Sequence, residues 1–180
     1  FVSQRVTDQR KGMDYFVEAV ARMAEEHPEM KEHTGIAILG GHAEELEGRL
    51  ALPVFPIGYV SDQQRIRDVY NAADVFVLPS LEDNLPNTIM EAMACGVPCV
   101  GFRVGGIPEM IDHRRNGYVA AERDARDLAE GIRWVLDEAD YAALSEAAVA
   151  KVLHSYSQRS VAMQYLEVYN EAMAYKNFCL

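Results

Sequence analysis

Short apolar runs alternate along most of the chain with longer stretches of helical periodicity. The short runs are bounded by Gly, Pro or Asp, which is typical of buried β-strands. The longer stretches carry apolar residues every three or four positions, as a helix with one buried face does. The predicted strands are 1–3, 35–39, 53–57, 74–78, 97–102 and 117–120, and the predicted helices are 13–26, 62–72, 88–95 and 124–137.

Strands that are apolar on both faces and separated by helices indicate a parallel sheet covered on both sides. The right-handed crossover rule then favours a doubly wound, Rossmann-like α/β fold in three layers, α/β/α. From Tyr141 onward the pattern is only helical, so we expect extra C-terminal helices. Segment 156–175 carries an apolar stripe, which either packs on the sheet or covers something outside this chain. The stripe consists of Val161, Tyr165, Val168, Tyr169 and Met173.

The composition is that of a globular domain, and it argues against several classes of function. The 180 residues are 49% hydrophobic and 25% charged, with a formal net charge of −11. This acidity argues against nucleic acid or an anionic membrane surface as the partner, because phosphate contacts need clustered Lys and Arg. No run approaches the ~18 apolar residues of a transmembrane helix. No signal peptide opens the chain, so we expect a cytoplasmic protein.

Three cysteines, Cys95, Cys99 and Cys179, form an odd set without the spacing of a metal site. Cys95 and Cys99 flank a Gly-Val-Pro segment where a predicted helix ends and a predicted strand begins. We therefore expect buried thiols in a reducing compartment rather than a disulfide.

The candidate chemistry lies in the loops after the strands, because ligands of open parallel sheets bind beyond the strands' carboxyl ends. The first loop ends in Arg10-Lys11-Gly12, and its cations either hold a phosphate by charge or are solvent-exposed. A second loop contains Gly40 and Gly41, which either admit a ligand close to the backbone or form a plain tight turn. The glycine-rich dinucleotide and P-loop motifs are absent from the sequence.

The loop after the fourth predicted strand, which reads PSLEDNLPNTIMEAMACG, is the most informative. Pro86, Asn87 and Thr88 open a helix whose free N–H groups suit an anion. Asp83 and Glu91 bring two acids to this helix start, and a ligand with hydroxyl donors would relieve their repulsion. The alternative interpretation is that Glu91 caps the helix and Asp83 is a surface residue.

The run from Pro79 to Ala120 resembles the donor-binding half of retaining GT-B-fold glycosyltransferases, the large family four or group 1. Those enzymes carry an acidic residue, seven intervening positions, a Glu, then Ala-Met-Ala-x-Gly and a Pro. Asp83 and Glu91 stand at the two acids, and a Gly-Gly-x-x-Glu turn and an Asn-Gly follow. The resemblance covers residues 1–138 and includes the loops at 10–12, 39–41 and 58–60 and the approach to the fourth strand at 70–80.

The resemblance implies a role for each matching position. Lys11 binds the donor diphosphate, Asp83 lies by the donor sugar, and Glu91 holds the ribose hydroxyls; these three are the implied catalytic residues. Main-chain contacts around 55–60 hold the base. The implied donor-binding residues are Arg10, Lys11, Gly40, Gly41, Gly58, Val60, Asn84, Leu85, Pro86, Asn87, Thr88 and Glu91.

The chain departs from the family pattern at two positions. Asp83 stands where most members have Glu, and Glu82 offers a second register, although the spacing from Ser80 favours Asp83. Arg5, a possible second cation, lies six positions before Lys11, whereas the usual Arg lies five before it.

The resemblance also implies a larger protein. Residues 1–180 form the nucleotide-sugar domain of a GT-B fold, and the N-terminal acceptor domain lies outside the chain, so this fragment alone is expected to be inactive. The implied reaction of the longer protein is sugar transfer from a nucleotide-diphosphate donor to a glycan or lipid-linked oligosaccharide, with retention of the anomeric configuration. The longer protein could lie at the inner membrane face.

No Asp-x-Asp motif occurs, so we expect no metal and no other cofactor; the nucleotide sugar is a substrate. Two alternatives stay open beside the transferase. One is a sugar-nucleotide epimerase of the same fold, and the other is a nucleotide-binding module with an inactive site.

Overall fold

The computed structural model describes residues 2–5, 8–46 and 48–178. Within these residues, six strands alternate with helices and every paired strand is parallel, which confirms the α/β class. The strands are β1 (Val2–Arg5), β2 (Ile36–Gly41), β3 (Val54–Gly58), β4 (Phe76–Leu78), β5 (Cys99–Phe102) and β6 (Gly117–Ala120). The helices are α1 (Met13–Glu26), α2 (Met30–His33), α3 (Gln63–Asn71), α4 (Asn87–Ala94), α5 (Ile107–Met110), α6 (Ala125–Arg133), α7 (Tyr141–Ser155) and α8 (Gln158–Phe178).

The strands form two three-stranded parallel sheets, in the orders β1-β2-β3 and β4-β5-β6. We predicted one doubly wound sheet, whereas among the described residues no backbone ladder joins β1 to β4. Contacts between the loops after these strands join the two sheets instead. The backbone N–H of Leu81 donates to the carbonyl of Arg10 at 2.7 Å. The carboxyl ends of β1 and β4 therefore open onto the same region.

The helix bounds follow the apolar periodicity closely. Helix α1 spans the predicted residues, and Phe16, Val20 and Met23 on its inner face are buried. The predicted helix 124–137 differs, because α6 ends at Arg133 and a π-helical turn, Trp134–Glu138, follows. This turn keeps Val135 in the core, with its side chain 1% exposed.

The core lies between the sheets and the helices that cover them. All four residues of β5 are buried, as expected for a strand covered on both faces. Ile38 of β2, Ile107 of α5 and Leu128 of α6 are fully buried. This packed scaffold holds the loops at the carboxyl ends of the strands in fixed positions.

The cysteines agree with the expectation of free thiols where the structure describes them. Cys99 is buried, and burial raises the pKa of its thiol. Cys95 is half-buried and also free. Cys179 lies outside the described residues.

The C-terminal helices behave differently from each other. Helix α7 packs against α4 and buries Leu144 and Ala148. On α8, Tyr165, Val168 and Met173 are 58–59% exposed, so the interpretation in which this stripe packs on the sheet is wrong. None of the described helices is both long and apolar enough to span a membrane.

Candidate functional site

Three loops meet at the carboxyl ends of β1, β4 and β5. A Cβ on Gly12, in the first loop, would overlap the carbonyl oxygen of Pro79 in the second. The backbone N–H of Gly106, in the third loop, donates to the carbonyl of Asn84 at 2.6 Å, and a Cβ on Gly105 would overlap the carbonyl of Asp83. These contacts need residues without a side chain, and they bring the three loops into one surface.

Lys11 and Asp83 form an ion pair at the centre of this surface. Nζ of Lys11 lies 2.8 Å from Oδ2 of Asp83, and their side chains are 29% and 17% exposed. The sequence predicted a phosphate-binding cation and an acid by the donor sugar. The structure brings these two residues together across 72 positions of chain. Each charge therefore has a partner, and an arriving anion would compete with Asp83 for the ammonium group.

Arg10, the second predicted cation, is held by a residue that the sequence reasoning missed. Asp8 accepts from the backbone N–H of Arg10 at 3.0 Å and from its guanidinium at 2.8 Å. This pairing lowers the pKa of Asp8 and raises that of Arg10. The Arg10 side chain is 69% exposed, so it lies at the rim of the site. The signal for Asp8 was its position two residues before Arg10. The side chain of Arg5 lies outside the described residues.

Glu91 lies on α4 and contacts Tyr70 of α3. The Tyr70 hydroxyl donates to Oε2 of Glu91 at 3.1 Å. The two acids of the predicted motif therefore do not share a partner, since Asp83 accepts from Lys11 instead. The alternative interpretation, in which Glu91 caps the start of its own helix, is wrong, because Pro86 is the N-cap residue and no side chain of the described residues makes a cap hydrogen bond there.

The longer helices differ in how their N-termini are capped. Asp62, Asp124 and Asp140 cap α3, α6 and α7 by accepting from backbone N–H groups. Among the described residues no side chain caps α1 or α4, which begin after Gly12 and Pro86. The first N–H groups of α1 and α4 therefore remain available, and the positive ends of both helices favour an anion.

The remaining predicted donor-binding residues share the same edge of the fold. Gly40 and Gly41 belong to the end of β2 rather than to the predicted loop. Gly58 ends β3, and Val60 follows it half-buried. Because all these strands are parallel, their ends lie on the side where Lys11 lies. The last predicted residues lie in the segment that leads from β4 into α4. Pro86 is buried there, Thr88 is half-buried, and Asn84, Leu85 and Asn87 are exposed.

A separate cavity lies away from these loops. It has a volume of about 860 Å³, and its lining includes Ile36 and Val75 at the amino ends of β2 and β4. Ile132 and Val135 complete its apolar wall. Ligands of open α/β sheets bind at the opposite ends of the strands, so we place the candidate site at the loops instead. The described residues contain no group of three or more His, Cys, Asp or Glu arranged to hold a metal ion.

The sequence of the chain matches one protein family over most of its length. The sequence model of the glycosyl transferases group 1 family matches residues 1–138. The chain belongs to the glycosyltransferase group 1 family. Among curated relatives, D-inositol 3-phosphate glycosyltransferase 2 of Catenulispora acidiphila is 32% identical over 142 residues, which cover 71% of this chain and 32% of that protein. The family assignment confirms the resemblance drawn from the motif around Asp83 and Glu91.

Solved structures of glycosyltransferases share the fold. Sucrose-phosphate synthase from Thermosynechococcus elongatus superposes with a TM-score of 0.75 at 24% identity, over 93% of this chain and 43% of that one. HepE from Anabaena, solved in complex with UDP, gives a TM-score of 0.74 at 19% identity, over 94% and 48%. The chain thus spans about a third of the curated relative and less than half of each solved protein.

Proposed function

We propose that the surface formed by the three loops binds a nucleotide-diphosphate sugar and serves as the donor site of a glycosyltransferase. The observation that carries this proposal is the meeting of Lys11 with two uncapped helix N-termini, those of α1 and α4. A cation and free N–H groups together suit a diphosphate. HepE, a fold relative, is solved with UDP, which supports a nucleotide as the ligand.

In this proposal, Lys11, Asp83 and Glu91 take the roles that the family resemblance implies. Lys11 leaves Asp83 to bind the diphosphate, and Asp83 then faces the donor sugar. Glu91 accepts hydrogen bonds from the ribose hydroxyls, because a carboxylate can accept two neighbouring hydroxyl donors. The backbone of residues 84–88 faces the sugar and phosphates in this proposal. The ends of β2 and β3, with Gly40, Gly41, Gly58 and Val60, hold the base through main-chain contacts.

The same residues would assist transfer. Departure of the diphosphate from the anomeric carbon leaves negative charge on the leaving group, which Lys11 and the start of α4 stabilise. The sugar becomes oxocarbenium-like and cationic, so a carboxylate such as Asp83 nearby is favourable. We propose that Lys11, rather than a metal ion, neutralises the negative charge of the diphosphate. Transfer retains the anomeric configuration in this proposal.

The acceptor belongs to the longer protein in this proposal. The chain spans less than half of the solved relatives, so a further domain would complete the cleft and carry the glycan or lipid-linked acceptor. The exposed apolar stripe of α8 is compatible with such a domain. The chain by itself is then a half-cleft that binds the donor weakly, with a dissociation constant on the order of 1 mM, or about −4 kcal/mol.

A titration of the 180-residue chain with UDP, ADP and GDP in the presence of a chelator tests this function. We expect one nucleotide to bind, and Lys11→Met to weaken it about tenfold or more, because a charge-assisted contact to phosphate contributes about 1.5–3 kcal/mol. Glu91→Ala is expected to weaken binding to a similar extent. Isothermal calorimetry at millimolar nucleotide gives the dissociation constants.

Lys151→Met is the matched control for the lysine variant. Nζ of Lys151 lies 2.9 Å from Oδ1 of Asp112 in a partly exposed ion pair that contains none of the predicted donor-binding residues. We expect this control to bind nucleotide like the unchanged chain. Equal losses in Lys11→Met and Lys151→Met, binding unaffected by Glu91→Ala, or binding that requires a divalent cation would each contradict the proposal.

A further inference from the structure

We propose that Tyr70 is a positioning residue of the donor site, which fixes the carboxylate of Glu91 in the orientation that accepts the ribose hydroxyls. This inference rests on the proposed function, because it assigns Glu91 to the ribose. Tyr70 lies on α3, outside every loop that carries a predicted site residue. The class of ligand it serves is a ribonucleoside diphosphate.

The tyrosine is anchored by its ring and presents its hydroxyl to the acid. Its side chain is 3% exposed, and the ring packs edge-on against Phe76 of β4 with centroids 5.7 Å apart. The hydroxyl reaches Oε2 of Glu91 at 3.1 Å. A buried ring with two side-chain torsions offers little freedom, so the position of its hydroxyl is set by the core.

The hydroxyl of Tyr70 is protonated at neutral pH and donates its hydrogen bond to Glu91. Burial raises its pKa well above the usual value, and the negative charge of Glu91 raises it further. The protonated phenol therefore serves as a fixed hydrogen-bond donor to Oε2 of Glu91.

Glu91 needs the hydrogen bond from Tyr70 because it is exposed on the surface of α4. A free glutamate side chain samples many rotamers, and ordering it on binding costs affinity. The bond from Tyr70 occupies one oxygen, so the carboxylate is ordered before the ligand arrives and lone pairs on both oxygens remain to accept further hydrogen bonds. Preorganisation of this kind strengthens only those contacts that Glu91 itself makes.

The test compares Tyr70→Phe with the unchanged chain, using UDP, ADP and GDP and their 2′,3′-dideoxy counterparts. The phenylalanine keeps the buried ring and removes the donor. We expect binding of the preferred ribonucleotide to weaken about 3- to 10-fold, the equivalent of ordering one long side chain. Binding of its dideoxy counterpart should not change, because that ligand offers Glu91 no hydroxyl.

Tyr118→Phe is the matched control. The hydroxyl of Tyr118, also a buried tyrosine, donates to Oδ1 of Asp127 at 2.7 Å, so the same atom is removed from the same kind of contact away from the site. Tyr118→Phe should not change the binding of either the ribonucleotide or its dideoxy counterpart. In a Glu91→Ala background, Tyr70→Phe should have no further effect on ribonucleotide binding, because the residue through which it acts is gone.

The outcomes separate this inference from the proposed function. Loss of binding in Glu91→Ala with none in Tyr70→Phe would overturn the role of Tyr70 and leave the donor site standing. Equal weakening of both ligands by Tyr70→Phe would show a general disturbance of the fold, and it too would overturn the positioning role. No binding of any nucleotide to the unchanged chain would overturn the proposed function and this inference together.

Discussion

At the scale of single residues, the site depends on positions that have no side chain as much as on the charged ones. Gly12 has a φ of 64° and lies against the backbone of Pro79, so the loop that carries Lys11 is set directly on the loop that carries Asp83. The ion pair between Lys11 and Asp83 follows from that approach. A change at Gly12 therefore separates two charged residues without touching either of them.

Gly12→Ala is expected to lower the free energy of unfolding by about 2–4 kcal/mol. The left-handed backbone costs an alanine about 1–2 kcal/mol, and the overlap of its Cβ with the Pro79 carbonyl adds a displacement of the loop. Chemical denaturation followed by circular dichroism measures the change.

Gly48→Ala is the control for backbone strain alone. Gly48 has a φ of 79°, and a Cβ there meets none of the described atoms within 4 Å. We expect a cost of about 1 kcal/mol for this variant. If both variants cost the same, the loop after β1 does not lie against Pro79 as described.

At the scale of elements, the helices fall into those that are packed and one that is not. Helix α1 buries its inner face and α6 buries Leu128 and Ile132, whereas α8 leaves its apolar stripe exposed. An exposed stripe of this size contributes little to the stability of the chain itself. The described residues leave this stripe uncovered.

Val168→Ala on α8 is expected to change the free energy of unfolding by no more than about 0.5 kcal/mol, because Val168 is 59% exposed. The matched substitution Val135→Ala removes the same two methyl groups from a side chain that is 1% exposed. We expect it to cost about 1.5–3 kcal/mol. Similar costs at the two positions, measured by urea denaturation, would show that α8 is packed.

The elements and the chemistry of the site loops could be predicted from the sequence, but the pairing of side chains could not. Periodicity predicted α1, and the motif spacing singled out Asp83 and Glu91. The partners Lys11 and Tyr70 reach these acids from 72 and 21 positions away. Whether residues so far apart in the sequence come into contact depends on how loops and helices pack, and one sequence does not contain that information.

Two further differences have physical causes. The α8 stripe has the spacing of a buried face, and periodicity alone cannot say whether the covering surface lies within the chain. The glycines at 40 and 41 have the composition of a loop, yet pairing with β1 keeps them in β2, where Gly41 lies opposite Arg5. For α8 a covering contact is missing among the described residues, and for Gly41 a strand pairing is present; neither can be read from local sequence.

At the scale of the whole molecule, the parallel topology collects every candidate residue on one edge. The chain carries a net charge of −11, so an anionic donor is bound against the overall field. Local cations and helix N-termini must therefore outweigh that field at the site, which Lys11 and the starts of α1 and α4 are placed to do. The lining of the cavity on the opposite edge contains one arginine, Arg65, against three acids, Asp68, Asp74 and Asp137, so it offers an anionic donor no net positive charge.

The most direct test of the donor site is a map of nucleotide contacts on the isotopically labelled chain by NMR. We predict that the nucleotide diphosphate that binds shifts the backbone amides of Lys11 and Gly12 and those of 83–85, 87–88 and 105–106 most strongly, with chelator present. Amides around Ile36 and Val75, at the opposite edge, should not move. Shifts confined to that opposite edge, or none at millimolar nucleotide, would contradict the account.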